Sequence, residues 1–242
     1  MFGALAAVVG LVIGVASAVA QPAPPKAANA KTVGVVSAIG ETFTLQKIGI
    51  TVFGNESHNV AIGAWGIDDL VAARVSAALS KRFHVKRISV PKGAFASYES
   101  PGGMFRDRDA ELREIVRRLA SSQPCDLYVV VTKGYSPFGT TNQAAIGLGL
   151  VVAASALIDN SHLYALSTIR IYDGKTFAVL RSQHASMGQP TFMKTIKGPY
   201  REVDSSWWPS GQAASDARLR DATRKLVEQS ITMSIPALMQ LD

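Results

Sequence analysis

The hydrophobic positions of this chain follow two periods, and each change of period predicts a change of secondary structure. Residues 33–39 form a valine-rich run, and apolar side chains recur at every second position over 42–53, which predicts β-strands. This alternation slips by one position near Gln46 and Lys47, so we expect a β-bulge there. The polar residues 55–59 predict a turn after these strands.

After residue 66 the apolar positions recur every three to five residues, as they do on one face of a helix. We predict a first helix over 67–83, with Asp68 as its N-cap. A second helix is expected to begin at Asp107 or Asp109 and to end before Pro124. Its apolar stripe consists of Leu112, Ile115, Val116 and Leu119.

Further strands are predicted between and after these helices. Residues 84–90 have an extended pattern, and the run 127–131 (LYVVV) lacks alternation, as expected of a strand that is covered on both faces. Residues 162–172 and 176–182 flank the dipeptide Asp173-Gly174. Asp-Gly between two β-rich segments predicts a β-hairpin with a type I′ turn.

A final amphipathic helix is predicted over 215–233, with Pro236 ending it. The order of elements predicts an α/β (α+β) fold with a mixed sheet, parallel in its strand-helix-strand-helix-strand core and antiparallel at the hairpin, with the final helix packed against it. Over 32–233 this order resembles the α/β domains of bacterial envelope-assembly proteins, such as the periplasmic domain of the curli secretion-channel lipoprotein and the N-terminal domain of TolB-type proteins. The resemblance implies an envelope location. The lipid-attachment cysteine of the lipoprotein members is absent from this chain.

The first 20 residues contain no charged side chain, and residues 5–16 are a continuous run of Ala, Val, Leu, Ile and Gly. Ala18-Val19-Ala20 follows as a small-residue cleavage site, so the pattern predicts a secretory signal peptide over 1–20 and a periplasmic or secreted mature protein. No Lys or Arg precedes the run, and its length also suits a bilayer span. An N-terminal anchor in the inner membrane is therefore the alternative.

The rest of the chain divides into a leader and a folded part. Residues 21–31 (QPAPPKAANAK) are rich in Pro and Ala, which predicts a flexible leader, and residues 32–242 are predicted to form a single α/β domain. Of all 242 residues, 48% are hydrophobic and 18% are charged, a balance that excludes a disordered chain. The single cysteine, Cys125, excludes an intramolecular disulfide; we expect a buried thiol, with an intermolecular bridge as the alternative.

The chain is basic. Twenty-five Lys and Arg against 18 Asp and Glu give a net charge of +7, and ten basic against five acidic residues lie between Lys81 and Arg118. This charge favours an anionic partner, such as an acidic glycan, anionic lipid headgroups or an acidic envelope protein. Export argues against nucleic acid. A solvated helix face with ion pairs such as Glu114 to Arg118 explains the same pattern without a partner.

The motifs of common enzyme and metal-binding families are missing: the chain has no HExxH, GxSxG, Walker or EF-hand sequence. The four histidines are far apart along the chain, and no metal site or cofactor is predicted. The sequence leaves enzymatic activity open and favours its absence. The alternative is an exported hydrolase with a non-standard site, and its candidate groups are Asp126, Asp159, His162 and His184.

Two segments have unusual patterns. Residues 134–160 form a Gly- and Ala-rich insertion in which the apolar stretch 145–158 is either buried against the sheet or exposed to a membrane or a partner. Residues 194–211 combine aromatic rings with cations, which suits a glycan, lipid headgroups or a protein hot spot; the alternative is that the rings cover the core. The predicted binding residues in this second segment are Lys197, Tyr200, Arg201, Trp207 and Trp208.

These observations predict an exported, non-catalytic cell-envelope protein that binds an anionic or protein partner through a basic and aromatic surface. One alternative is the exported hydrolase. The other is a membrane-contacting or oligomerising protein that uses residues 145–158. The sequence does not determine the partner or the oligomeric state.

Overall fold

The structure is a computed structural model, and it describes residues 30–49, 55–101, 106–139, 143–155, 158–188 and 196–240, with the side chains of 153–155 and 158–160 excepted. The predicted signal peptide 1–20 and all but the last two residues of the predicted leader 21–31 lie outside the described residues.

The described residues form twelve strands and four helices. The strands are β1 (Thr32–Ala38), β2 (Thr42–Ile48), β3 (Glu56–Ala61), β4 (His84–Arg87), β5 (Leu127–Lys133), β6 (Tyr135–Pro137), β7 (Ala144–Ile146), β8 (Leu148–Ser155), β9 (Ile158–Ala165), β10 (Ser167–Asp173), β11 (Val179–His184) and β12 (Tyr200–Val203). The helices are α1 (Ile67–Leu79), α2 (Ala96–Glu99), α3 (Arg108–Ala120) and α4 (Ala217–Met239).

Most of these strands belong to two five-stranded sheets. The first has the order β11-β10-β5-β1-β4; β4, β1 and β5 are parallel, and β10 and β11 are antiparallel to their neighbours. This sheet confirms the predicted mixed topology. The second sheet, β12-β9-β8-β2-β3, was not predicted; within it β2 and β8 are parallel and the other pairs are antiparallel. β6 and β7 form a separate hairpin.

Two segments of the chain run directly from one sheet into the other. β1 leads into β2 through residues 39–41, and β9 leads into β10 through Leu166. At this junction three backbone hydrogen bonds close a ring: Leu166 N donates to Gly147 O (2.7 Å), Gly147 N to Gly134 O (2.9 Å), and Gly134 N to Leu166 O (2.9 Å). An added Cβ on Gly134 would lie 2.9 Å from Ser167 N, so only glycine fits this approach.

α1 and α4 pack against both sheets and form the main core with them. This core joins Val35 and Val129 of the first sheet to Leu150 and Leu163 of the second and to side chains of both helices. α3 covers the opposite face of the first sheet. The opposite face of the second sheet is covered by a smaller cluster that includes Phe138, Tyr164 and Ile196.

The predicted bulge in β2 is wrong. β2 pairs in continuous register with β3 through Lys47 and with β8 through Ile48. Phe43 and Leu45 face the main core, whereas Ile48 packs against the smaller cluster on the other face. Because both faces of this strand are covered, apolar positions change parity without any change of backbone pairing. The last part of the predicted strand, residues 50–53, lies outside the described residues.

The first two helices differ from prediction at their ends. The N-cap of α1 is Gly66, in the left-handed conformation (φ 60°), and not Asp68; the helix ends at Leu79 and not at residue 83. The side chain of Asp68 instead accepts hydrogen bonds from the Ser37 hydroxyl of β1 and from two backbone N–H groups of the link between β1 and β2. For α3 the prediction is confirmed, since Asp107 accepts a hydrogen bond from Ala110 N at 2.9 Å.

The predicted hairpin is present, but its turn is longer than the predicted two-residue type I′ turn. β10 and β11 pair up to Tyr172 and Val179. Asp173 Oδ1 accepts hydrogen bonds from the backbone N of Lys175 (3.1 Å) and of Thr176 (2.8 Å), and the positive φ falls on Phe177 (55°) instead of Gly174. Asp173 therefore acts as a side-chain cap of the loop.

Pro236 does not end the last helix, which continues to Met239. Ile235 and Leu238, on either side of this proline, are buried in the main core and hold the last turn in place. Two side chains of β11 bind carbonyl oxygens of that turn: Arg181 donates to Leu238 O (2.9 Å) and Gln183 donates to Ser234 O (3.0 Å). Tertiary contacts thus override the tendency of proline to terminate a helix.

Candidate binding site

A short 3-10 turn positions Trp207. The turn, Ser205–Trp207, follows β12 directly, and Asp204 caps it by accepting a hydrogen bond from Ser206 N at 2.9 Å. Hydrogen bonds from Ser206 also lower the pKa of the Asp204 carboxyl, so this group stays ionised and keeps its capping role. The indole ring is half-buried and packs partly against the main core.

Two guanidinium groups contact the Trp207 ring. The guanidinium carbon of Arg201 lies 5.2 Å from the ring centre, and that of Arg218 lies 4.7 Å away. Both distances are within the range of cation–π attraction. Arg218 also donates a hydrogen bond to Ser206 O at 3.0 Å. Sequence reasoning missed Arg218 as a site residue, because its place on the polar face of a helix gives no sign of this contact.

Two shallow clefts meet at Arg201. The smaller, about 390 Å³, is lined by β12 and the turn that carries Trp207. The larger, about 650 Å³, lies between β12 and α4 and includes Lys225 and Gln229 in its lining. Arg201 and the acidic Glu202 line both clefts, and Arg201 lies next to an aromatic ring.

The other predicted residues of this segment have different environments. Trp208 is half-buried and packs partly against the main core. Tyr200 is buried, in the cluster on the second sheet, with its ring 5.2 Å from that of His162. Lys197 is exposed, and its backbone N donates to Ser136 Oγ at 2.8 Å. The structure thus brings Arg201 to Trp207, whereas Tyr200 contributes to the core.

Charge is balanced around this site. Arg218 is 3.9 Å from Asp216, and Arg220 is paired with Asp221 at 2.8 Å. Arg201 forms no hydrogen bond or ion pair with any residue that the structure describes, so its guanidinium N–H groups are available. We therefore define the Trp207 site as Arg201, Trp207 and Arg218. Because the neighbouring arginines are paired with carboxylates, this site lacks a broad positive field. It is suited to binding an anion through directed hydrogen bonds from a guanidinium.

The apolar stretch 145–158 contains the central strand of the second sheet. β8 lies between β2 and β9, and Leu148, Leu150 and Val151 are buried. Just before β8, Ile146 is 52% exposed beside its register partner Tyr135, which is 59% exposed. For the side chains that the structure describes from 148 to 152, the buried interpretation holds.

The candidate groups of a hydrolase lie on separate elements. Asp126 binds the backbone at the start of β1, and His184 on β11 contacts Thr168 Oγ1 at 3.1 Å. His162 is buried in the second sheet beside the Phe138 ring. The side chain of Asp159 lies outside the described residues. Asp126, His162 and His184 thus have separate structural neighbours.

A further cleft, of about 450 Å³, lies at the carboxyl ends of the parallel strands β1 and β4. After β1 the polypeptide continues on one face of the sheet, and after β4 it continues on the other. In α/β folds a crevice forms where neighbouring strands connect to opposite faces in this way. Three carboxylates line it, but Asp68 binds the β1–β2 link, Asp69 pairs with Arg87, and Glu41 accepts from Gly93 N at 2.7 Å. These contacts give all three a structural role. The sequence pattern offered no signal for this cleft.

Neither a metal cluster nor a membrane-spanning helix is present in the part of the chain that the structure describes. No group of three or more His, Cys, Asp or Glu side chains converges there. Among the same residues, no helix combines the length and the apolar character that crossing a membrane requires.

Comparisons with known proteins give structural neighbours only. No family model and no curated protein sequence matches this chain. Its backbone is similar to a Xanthomonas campestris protein of the DUF330 family (8% identity, 87% of this chain and 84% of that chain, TM-score 0.36). It is also similar to PelC from Paraburkholderia phytofirmans (11%, 93% and 96%, 0.32) and to lipoprotein GNA1162 from Neisseria meningitidis (14%, 84% and 99%, 0.32). At these identities and TM-scores we draw no functional argument from them.

Proposed function

We propose that this protein is an exported, non-catalytic protein of the bacterial cell envelope that binds an anionic partner at the Trp207 site. The observation that carries this proposal is the contact of both the Arg201 and the Arg218 guanidinium with one indole ring, at 5.2 and 4.7 Å. The resemblance of the element order to envelope-assembly domains agrees with this location and belongs to the same proposal.

The geometry of the site supports anion recognition. A guanidinium that is stacked on a ring still presents its N–H groups at its edge, where a carboxylate, sulfate or phosphate accepts two of them at once. Stacking also restricts the side chain before binding, so less conformational entropy is lost when the anion arrives. The open clefts on both sides of Arg201 leave room for a polymer or a protein surface.

The carboxylates and the histidine that could act in catalysis form contacts within the fold, which supports a non-catalytic protein. Asp68, Asp126 and Glu41 have assigned backbone partners, and His184 contacts a threonine hydroxyl. A general acid or base has to be free to exchange its proton with a substrate. Groups that hold the backbone in place are poorly suited to that task.

The binding experiment measures affinity for polygalacturonate, a defined acidic glycan, by calorimetry and by the change in tryptophan fluorescence. Arg201→Gln is expected to weaken binding at least about tenfold, since a hydrogen-bonded charge contributes on the order of 1.5–3 kcal/mol. Trp207→Ala is also expected to weaken binding, because it removes the ring that both guanidinium groups contact. Arg220→Gln is the matched control, because Arg220 is on the same helix as Arg218 but is paired with Asp221. If all three variants bind as the unchanged protein does, the Trp207 site is not the binding site.

Export is tested separately, by mass spectrometry of the protein recovered from the periplasm. The signal-peptide prediction requires a mature chain that begins at Gln21. A chain that keeps residues 1–20 and fractionates with the inner membrane would support the anchored alternative. Recovery of the full chain from the cytosol would contradict export altogether.

A further inference from the structure

The N-terminal ends of the parallel strands and the C-terminal ends of two helices lie together at one end of the first sheet. β1 begins at Thr32, paired with His84 at the start of β4, and β5 begins beside it at Leu127. β10 ends at the same level, since Asp173 pairs with Leu127. α1 and α3 precede β4 and β5, so their C-termini lie at this end as well.

We call this end the amino face, and its charged residues are mostly cations. Seven basic residues lie there: Lys31, Lys81, Arg82, Lys86, Arg117, Arg118 and Lys175, all exposed except the half-buried Lys86. The acidic residues that follow or flank the same elements are Glu114, Asp126 and Asp173.

Each of the three acidic side chains has a partner within the fold. Glu114 pairs with Arg117, and not with Arg118 as the sequence suggested. Asp126 binds the backbone of Lys31 and Thr32, and Asp173 is buried and caps its own turn. Consequently Lys31, Lys81, Arg118 and Lys175 form no ion pair with any described residue through their side chains.

The fold stabilises this concentration of cations. The C-terminus of a helix carries a partial negative charge, which favours Lys and Arg close to the last turns of α1 and α3. Cations on the edge strand β4 also prevent pairing with other chains. Edge protection does not explain Arg118 or Lys175, because these residues belong to α3 and to the β10–β11 loop.

We infer that the amino face docks on the surface of an anionic phospholipid bilayer. Several exposed cations from different elements lie at one end of the β-sheet, where they are complementary in charge to a layer of negative headgroups. Each Lys or Arg adds its own attraction to such a layer.

This orientation places the Trp207 site away from the membrane. α4 begins at Ala217, next to the contact of Arg218 with Trp207, and ends at Met239 near Arg181 of β11. Twenty-three residues of helix span roughly 35 Å. A molecule docked by its amino face therefore presents the proposed binding site on its far side.

The test compares binding of the mature chain, residues 21–242, to vesicles of phosphatidylcholine alone and of phosphatidylcholine with about one third phosphatidylglycerol, at low and high salt. The two vesicles differ in surface charge, so the ratio of the two affinities reports on electrostatic attraction. We expect a ratio of at least about tenfold at low salt that falls steeply at high salt.

The quadruple variant Lys31→Gln, Lys81→Gln, Arg118→Gln and Lys175→Gln is expected to bring this ratio close to one. Its matched control replaces four cations outside the amino face, Lys47, Lys92, Lys197 and Arg220, with Gln and is expected to keep the ratio. Thermal unfolding checks that both variants fold. Equal binding of the unchanged protein to both vesicles overturns the inference. So does a quadruple variant that keeps its preference for anionic vesicles but loses binding to polyglutamate, since the amino face would then bind an acidic protein.

Discussion

Ser37 Oγ lies 2.6 Å from Asp68 Oδ1 and thereby joins the end of β1 to the first turn of α1. The same carboxylate accepts hydrogen bonds from the backbone N of Ile39 (2.9 Å) and of Gly40 (3.1 Å). These contacts fix the link along which the chain passes from the first sheet to the second. Asp68 is therefore a structural residue of the sheet junction.

Replacing Asp68 by Ala should lower the free energy of unfolding by about 2–4 kcal/mol, because three donors lose a partly buried acceptor. Urea denaturation measures the change. Asp69→Ala is the control: its neighbouring carboxylate forms an exposed ion pair with Arg87, and its loss should cost less than about 1 kcal/mol. Equal urea midpoints for the two variants would refute this role of Asp68.

Asp126 should make stability depend on pH in the acid range. Hydrogen bonds from the backbone N of Lys31 and of Thr32, and from the Thr32 hydroxyl, lower the pKa of this carboxyl below its ordinary value. A lowered pKa means that the folded state favours the ionised form. The resulting stability is present above the unfolded pKa and is lost as the pH falls through the folded pKa.

Asp126→Asn should therefore be less stable than the unchanged protein at pH 6, and the difference should shrink as the pH falls through the lowered pKa of Asp126 and its carboxyl becomes protonated. Thermal unfolding at a series of pH values measures this difference. A gap between the two proteins that stays constant across the acid range would show that the charge of Asp126 has no part in holding β1.

Cys125 should react slowly with thiol reagents in the folded protein. Its side chain is buried, and burial raises the pKa of the thiol, which lowers the fraction of reactive thiolate. We expect slow reaction with a disulfide reagent at pH 8 and fast reaction after unfolding in guanidinium chloride. A disulfide-linked dimer on a non-reducing gel of the native protein would support the intermolecular bridge instead.

Gly174 should not tolerate a side chain. An added Cβ would lie 1.8 Å from the carbonyl oxygen of Cys125, which requires a backbone shift between the hairpin and the start of β5. Gly174→Ala should cost at least about 2 kcal/mol of stability. At Gly211 an added Cβ meets nothing within 4 Å, so Gly211→Ala is the control and should change stability by less than about 0.5 kcal/mol. Similar unfolding midpoints would contradict the close approach.

Local sequence patterns predicted the helices that bury one stripe of side chains and the strand that is buried on both faces. The apolar spacing of α1, α3 and α4 and the uninterrupted run of β5 are set by the core that each must contact, and this requirement is visible in the sequence. Asp107 as a cap was also predictable, since its partner Ala110 is three residues away. For the Trp207 site, the sequence identified Arg201 and Trp207 as candidates because they are only six residues apart.

The sequence by itself thus determined the helices α1, α3 and α4, the strands of the first sheet with their mixed topology, and the excess of cations. Only the tertiary structure decided how both faces of β2 are covered, why α4 continues past Pro236, and that Arg218 meets Trp207. It also placed the cations of α3, of the β10–β11 loop and of the residues that follow α1 on one face. The physical reason is that the spacing of apolar residues along an element indicates only which face of that element is buried. The features above depend instead on contacts between residues far apart in the chain.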